Sequence, residues 1–326
     1  RVLQEGFGLQ PQAARALVFG KIGLALSGGG FRAALYHLGV LAKLAEMDLL
    51  RHIDVLSCVS GGSIVGTHYY LELGKRLTAI ADRDVAHLDY VTIVDRMVTT
   101  FKTAVQKNIR TRVAGDFFAN ARMAFDKNYS RTQRVGELYE EYLYRPVLDG
   151  TDQPIAVHQL KIEPKGDCGF HPKHHNWRRN AKVPMWIVNA TTLNTGHNWQ
   201  FTATFMGEPP GAIDPRVDSN PRLRRMYHES DDIPSDYKRF PLGAAVGASA
   251  CVPGLFAPIE LPGLYPGTTV RLVDGGVYDN LGITGLLEQE CTVLIVSDAS
   301  GQNAFEADPN RSEIPVLMRS SGLTMG

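Results

Sequence analysis

Val55-Leu56-Ser57-Cys58-Val59-Ser60-Gly61-Gly62-Ser63-Ile64-Val65-Gly66 is the stretch whose reading decides the fold. An apolar run stops abruptly at Ser-Gly-Gly, and small residues then open a helical pattern that continues through Tyr69, Tyr70 and Leu73. That predicts a strand, a sharp turn and a helix. A serine at such a turn is held up at the end of the strand, with the N-terminus of the next helix behind it to stabilise developing negative charge. Ser60 is therefore a candidate nucleophile. The alternative is that Ser60-Gly61-Gly62-Ser63 is a turn with a serine N-cap.

The same grammar occurs once upstream. Ile22-Gly23-Leu24-Ala25-Leu26 reads as a buried strand, Ser27-Gly28-Gly29-Gly30-Phe31-Arg32 breaks it, and Ala33 to Leu44 spaces its apolar residues like a helix with one buried face. Glycines strip side chains from the turn so that backbone N–H groups can converge on an anion, and the helix dipole favours negative charge there. A phosphate and an oxyanion both fit that geometry. The phosphate-binding loop of nucleotide enzymes needs a terminal Gly-Lys-Ser/Thr, and the dinucleotide fingerprint needs Gly-X-Gly-X-X-Gly; neither is present. The oxyanion reading leads, with Arg32 adding a fixed positive charge beside the loop.

Outward from these two units the chain reads as follows. Residues 1–20 are a helical lead-in, and residues 77–145 a helical insertion with aromatic residues Phe117, Phe118 and Phe125, Met123, and basic residues Arg110, Arg112 and Arg122. The insertion suits an ordinary helix burying an apolar stripe better than a lid or a lipid-facing surface. Residues 163–180 are polar and turn-rich. Cys168, His171, His174 and His175 there have loosely metal-like spacing, but no second ligand pair follows, so a solvated loop is expected rather than zinc. Strands are expected at Val183–Thr192, Trp199–Phe205, Val270–Val273 and Thr292–Asp298, and a tightly packed small-residue helix at Leu242–Ala250. Strands separated by helices, with glycine turns at strand ends, imply an α/β protein, a three-layer α/β/α sandwich around a mostly parallel sheet. In such sheets sites form beyond the carboxyl ends of the strands, where Gly28 to Gly30, Ser60 and Asp274 can meet.

Composition limits the function classes. The chain has 326 residues, 34 basic and 34 acidic side chains, and offers no basic surplus for nucleic acid. Four scattered cysteines give no disulfide framework. No apolar run is long enough to span a bilayer and none reads as a secretory leader, although a chain beginning at Arg1 leaves room for one already removed. The expected location is cytoplasmic or peripheral to a membrane.

Together Ser27-Gly28-Gly29-Gly30-Phe31-Arg32, Cys58-Val59-Ser60-Gly61-Gly62 and Asp274-Gly275-Gly276 resemble the patatin-like phospholipase family, supported by Asn189 to Gly196 and Ala248 to Phe256. The resemblance covers roughly residues 21–300, inside a single catalytic domain expected over 21–326. It implies a serine acyl hydrolase with a Ser-Asp dyad, no catalytic histidine, no metal and no cofactor. Carried over, Ser60 is the nucleophile, Asp274 the base, and the N–H groups of Gly28, Gly29 and Gly30 the oxyanion hole. Its substrate would be a phospholipid, lysophospholipid or neutral ester met at a membrane or micelle surface. Arg32 is a candidate substrate-binding residue. One departure stands out: the family's elbow usually has glycine two residues before the serine, and here it is Cys58. A catalytically weak regulatory or binding module with the same fold is the alternative function. A Ser-His-Asp hydrolase is disfavoured by the glycine loop directly after the first strand.

Overall fold

A strand covered on both faces must be apolar almost throughout. Both strands of the opening units are: Ile22–Leu26 (β1) is buried at every position, and Ile53–Val59 (β2) at every position except Asp54. Gly30–Glu46 (α1) connects them and Gly61–Ala79 (α2) follows β2. The structure is a computed structural model and describes residues 20–106, 130–148, 153–211 and 218–301, with a few isolated positions outside them. The helical lead-in, the chain end beyond residue 301, and the aromatic and basic residues expected at 110–125 lie outside the described residues, apart from such single positions.

α1 buries Ala33, Ala34, His37, Leu38, Leu41, Leu44 and Ala45 as one stripe. α2 buries every residue from Gly61 to Leu73, because it is the central helix, with α1, β2 and His87–Gln106 (α3) packed around it. Arg131–Tyr139 (α4) begins with a capping box from Ser130 and Gln133. Then come Met185–Thr192 (β3), Asn198–Phe201 (β4), Phe205–Gly207 (β5), Met226–Tyr227 (β6) and Leu242–Ser249 (α5). A hairpin of Ile259–Tyr265 (β7) and Thr268–Asp274 (β8) precedes Ile283–Glu288 (α6) and Val293–Ser297 (β9).

The sheet runs β6-β5-β4-β3-β2-β1-β9, with β8 also on β3 and β7 on β8. The strands β9, β1, β2 and β3 are parallel, and the sheet continues antiparallel beyond β3. Successive side chains point to opposite faces. Leu24 and Leu26 thus join the main core under α1, α2 and α3, while Ala25, Val55 and Ile187 form a small second core with Leu286 of α6. The architecture is the expected α/β sandwich, with one thick helical layer and one thin one. No helix of the described residues is long and apolar enough to cross a membrane.

β3 carries the arrangement that matters. β4 occupies one of its edges over Val188–Thr191, so both β2, paired at Met185–Asn189, and β8, paired at Ala190–Thr192, lie on the other. β2 runs parallel to β3 and β8 antiparallel, so their carboxyl ends meet head to head: Val59 stands opposite Asn189 and Asp274 opposite Ala190.

Three segments differ from expectation. Trp199–Phe205 is not one strand, because the Thr202 hydroxyl accepts the N–H groups of Thr204 and Phe205 and turns the chain between β4 and β5. Residues 163–180 are docked rather than solvated throughout: Phe170, Asn176 and Arg179 are buried, and Arg179 pairs with Asp82 and Asp167. The apolar run that forms β9 reads as a buried strand, yet Val293, Leu294 and Val296 are exposed, because β9 forms the sheet edge and none of the described residues covers it.

Candidate active site

Ser60 follows the last residue of β2 and has φ 49° and ψ −113°, a backbone conformation that costs a non-glycine residue about 1–3 kcal/mol. Its side chain makes no capping hydrogen bond, which removes the N-cap reading. The turn closes because Gly61 and Gly62 lack side chains. A Cβ on Gly61 would stand 2.0 Å from the Gly30 carbonyl oxygen, and one on Gly62 2.1 Å from that of Leu26. The elbow therefore rests directly on the end of β1 and on the glycine loop. Cys58 is accommodated by Gly66: a Cβ there would lie 2.3 Å from the Cys58 sulfur.

A buried node holds the elbow from behind. The Asn189 carbonyl can only accept, so the Ser249 hydroxyl donates to it at 2.6 Å and uses its lone pairs to accept from the Ser60 N–H at 2.9 Å and the Ser63 hydroxyl at 2.8 Å. Ser249 and Ser63 are fully buried. Ser63, the other serine of the turn, is thus engaged in this node. Ser57 is engaged as well, accepting from the Asn189 amide at 2.9 Å.

In the glycine loop, Gly29 has φ 133° and Gly30 φ 69°, values that L side chains rarely adopt. The Gly28 N–H, expected in the oxyanion hole, is instead engaged: it donates to the Asn280 carbonyl at 2.9 Å, which leaves Gly29 and Gly30 for that role. The Gly29 and Gly30 N–H groups make no hydrogen bond among the described residues, and no side chain caps the start of α1. A helix of 17 residues thus presents an uncapped N-terminus beside Ser60. Gly28 supplies clearance: its missing Cβ would stand 3.4 Å from that of Ser60 and 2.1 Å from Asn280 Oδ1. Arg32 is exposed and makes no ion pair or hydrogen bond among the described residues.

Asp274 ends β8 with its side chain 1% exposed. Its Oδ1 accepts the Gly276 N–H at 2.8 Å, while Oδ2 is buried and makes no hydrogen bond of ordinary geometry. Burial pushes the carboxyl up to about 6, against the lowering pull of the Gly276 N–H and of the nearby Ser60 hydroxyl. Backbone bonds from Asp274 N–H to the Cys251 carbonyl at 3.0 Å and from Gly275 N–H to the Ser249 carbonyl at 3.2 Å fix the turn.

No histidine hydrogen-bonds Ser60 or Asp274 among the described residues. His37 is buried and braces the start of the glycine loop, its Nε2–H donating to the Ser27 carbonyl at 2.9 Å and its Nδ1 accepting from the Ser297 hydroxyl at 2.8 Å. Burial lowers its pKa. His68 stacks on Phe101 in the core, where burial lowers it to about 3. Among the described residues no group of three or more His, Cys, Asp or Glu side chains is placed to hold a metal ion. His171 and His175 are tied into a single helical turn, the His171 N–H donating to His175 Nδ1 at 2.9 Å.

The structure thus brings together Ser60, Asp274 and the glycine loop from β2, β8 and the start of α1. Sequence reading missed Ser249. Its signal was a lone hydroxyl at the end of an otherwise apolar, small-residue helix, Leu-Gly-Ala-Ala-Val-Gly-Ala-Ser.

Residues 24–287, from β1 into α6, match the family described as patatin-like phospholipase. Similar solved structures include human GIVD cytosolic phospholipase A2 in complex with methyl gamma-linolenyl fluorophosphonate, 14% identical with a TM-score of 0.41, and VipD from Legionella pneumophila, 15% identical with a TM-score of 0.31. The matches cover 76% and 80% of this chain but 31% and 47% of those, so the chain spans less than half the length of either. None of the curated proteins matches it. The family match encloses the glycine loop, the elbow and the Asp274 turn, and the chain belongs to the patatin-like phospholipase family.

Proposed function

We propose that this chain is a lipid acyl hydrolase that cleaves oxyester bonds through an acyl-Ser60 intermediate, with Asp274 as the base. The observation that carries the reading is a dry carboxyl, raised to about 6, facing a serine held at positive φ at the end of β2. A solvated aspartate is too weak a base for a hydroxyl, and desolvation brings its affinity for the proton toward working pH. Ser60 Oγ attacks the ester carbonyl carbon as its proton passes to Asp274 Oδ2. The developing oxyanion is bound by the Gly29 and Gly30 N–H groups at the start of α1. Collapse expels the alcohol, which takes the proton from Asp274; water then repeats the sequence on the acyl-serine. Without an imidazolium to protonate an amine, oxyesters are cleaved and peptides are not.

A binding or regulatory module would gain nothing from a strained serine and a desolvated carboxyl, each of which costs folding energy. Their retention favours turnover. We assign Arg32 to the phosphate of an anionic head group, since its guanidinium lies in the first turn of α1 with no protein partner among the described residues. Leu35 and Tyr36, next on the same helix, are 44% and 55% exposed and suit contact with a membrane or micelle surface.

Labelling with a fluorophosphonate followed by peptide mapping tests the assignment. The label is expected on Ser60, and Ser60→Ala should abolish it without loss of folding. Modification of Ser63 or Ser57 instead overturns the elbow assignment.

A further inference from the structure

We propose that Ser249 is a positioning residue that sets Ser60 and Asp274 against each other, its side chain holding the nucleophile's amide and its backbone holding the Asp274 turn; this rests on the acyl-Ser60 reading. Ser60 comes at the end of β2 and Asp274 at the end of β8, strands that are paired to β3 and not to each other. Something must fix the distance across the gap. Segment 249–251 touches both sides: the Ser249 hydroxyl accepts from Ser60 N–H at 2.9 Å, its carbonyl accepts from Gly275 N–H at 3.2 Å, and the Cys251 carbonyl accepts from Asp274 N–H at 3.0 Å.

The hydroxyl is fully used. It has one proton, given to the Asn189 carbonyl at 2.6 Å, and two lone pairs, taken by Ser60 and Ser63. Asn189 is the β3 residue opposite Val59, so the bond anchors the elbow to the same strand that carries β8. The N–H it holds belongs to the strained residue itself. Released from that bond, the peptide between Val59 and Ser60 is free to relax toward negative φ, which swings Oγ away from Asp274. The Ser249 hydroxyl bonds neither the Ser60 hydroxyl nor the Asp274 carboxyl.

Three variants separate this from a general packing role. Ser249→Ala removes the acceptor of Ser60 N–H, whereas Ser63→Ala deletes a hydroxyl from the same buried node and leaves that bond in place. With a short p-nitrophenyl ester, Ser249→Ala should lose about tenfold to a hundredfold in kcat, the rate equivalent of a buried hydrogen bond, with KM changed by less than about twofold. Ser63→Ala should keep most of kcat. The acid limb of the Ser249→Ala rate profile should also move to higher pH, because the Ser60 hydroxyl is one of the two groups that hold the Asp274 carboxyl down. Equal losses in the two variants, or an unmoved limb, overturn the proposal. Should Ser249→Ala fail to fold, Ser249→Cys carries the test: it fills the place of the hydroxyl with a somewhat larger sulfur that accepts weakly, so unchanged kcat overturns the proposal and a fall at constant KM with the acid limb moved to higher pH supports it. Ser60→Ala separates the two readings, since turnover surviving in that variant removes the acyl-serine pathway itself.

Discussion

Ser60 and Asp274 reach each other from strands that run in opposite directions along one edge of β3. Each strand ends where the other ends, so the two side chains meet in the interior of the sheet edge, and the Asp274 carboxyl is dry.

Asp274→Asn should disable and stabilise the protein at once. The carboxyl is raised from 3.8 to about 6 on folding, so the native state carries no penalty below pH 3.8 and the full penalty above pH 6. The full penalty is about 3 kcal/mol at most, because a tenfold change in proton affinity is worth roughly 1.4 kcal/mol. Urea denaturation should show the variant more stable than wild type at pH 8, by about 1–3 kcal/mol, and nearly unchanged at pH 4. Acylation should fall at least about a hundredfold. Equal stability differences at both pH values would mean that Asp274 is not a buried ionisable group.

The kcat/KM of the wild type should rise with pH through a midpoint at about 6, as Asp274 loses its proton, and show no basic limb from a histidine. Initial rates on a short ester between pH 4 and 9 measure this. A midpoint near pH 4 would indicate a solvated carboxylate, and an equally large loss from any single His→Ala change would transfer the base role away from Asp274.

Arg32→Ala should lower kcat/KM about tenfold or more for a phospholipid, the equivalent of a charge-assisted bond of roughly 1.5–3 kcal/mol, and far less for a short p-nitrophenyl ester. Equal losses on the two substrates would remove phosphate recognition from the account.

Gly61→Ala tests the contact between elbow and glycine loop. Its Cβ would stand 2.0 Å from the Gly30 carbonyl oxygen, a rigid backbone atom, so the variant should be destabilised by about 1–3 kcal/mol and lose fluorophosphonate labelling. Gly39→Ala in α1 is the control. It has open space and should be neutral or up to about 1 kcal/mol stabilising. Labelling of Gly61→Ala at the wild-type rate would show that the elbow and loop are independent.

The strand, turn and helix of each opening unit were legible because buried parallel strands are continuous apolar runs, and β1 and β2 both stop at glycines. The placement of Ser60 and the glycine loop at the ends of those strands followed from that local grammar. The direction of β8 did not, because it depends on pairing with β3 some eighty residues away, and its hairpin partner β7 is interrupted by Pro262 and Gly263. The docking of residues 163–180 was hidden for the same reason: it rests on Arg179 finding Asp82 across the fold, and a polar composition reads the same whether its charges meet water or each other. Ser249 illustrates a further limit, since nothing local distinguishes a hydroxyl that holds an elbow from one that fills space.

The contact between Cys58 and Gly66 couples two positions that lie eight residues apart on either side of the turn. A methyl group at position 66 is blocked while the sulfur stands 2.3 Å from its place, and the sulfur has room only while position 66 stays bare. The two places are thus exclusive: bulk at one closes the other. With Cys58 in place, position 66 is held to glycine inside α2, where alanine would favour the helix by about 1 kcal/mol. The two residues form one steric unit, and grafting this elbow into another protein would require both to be moved together.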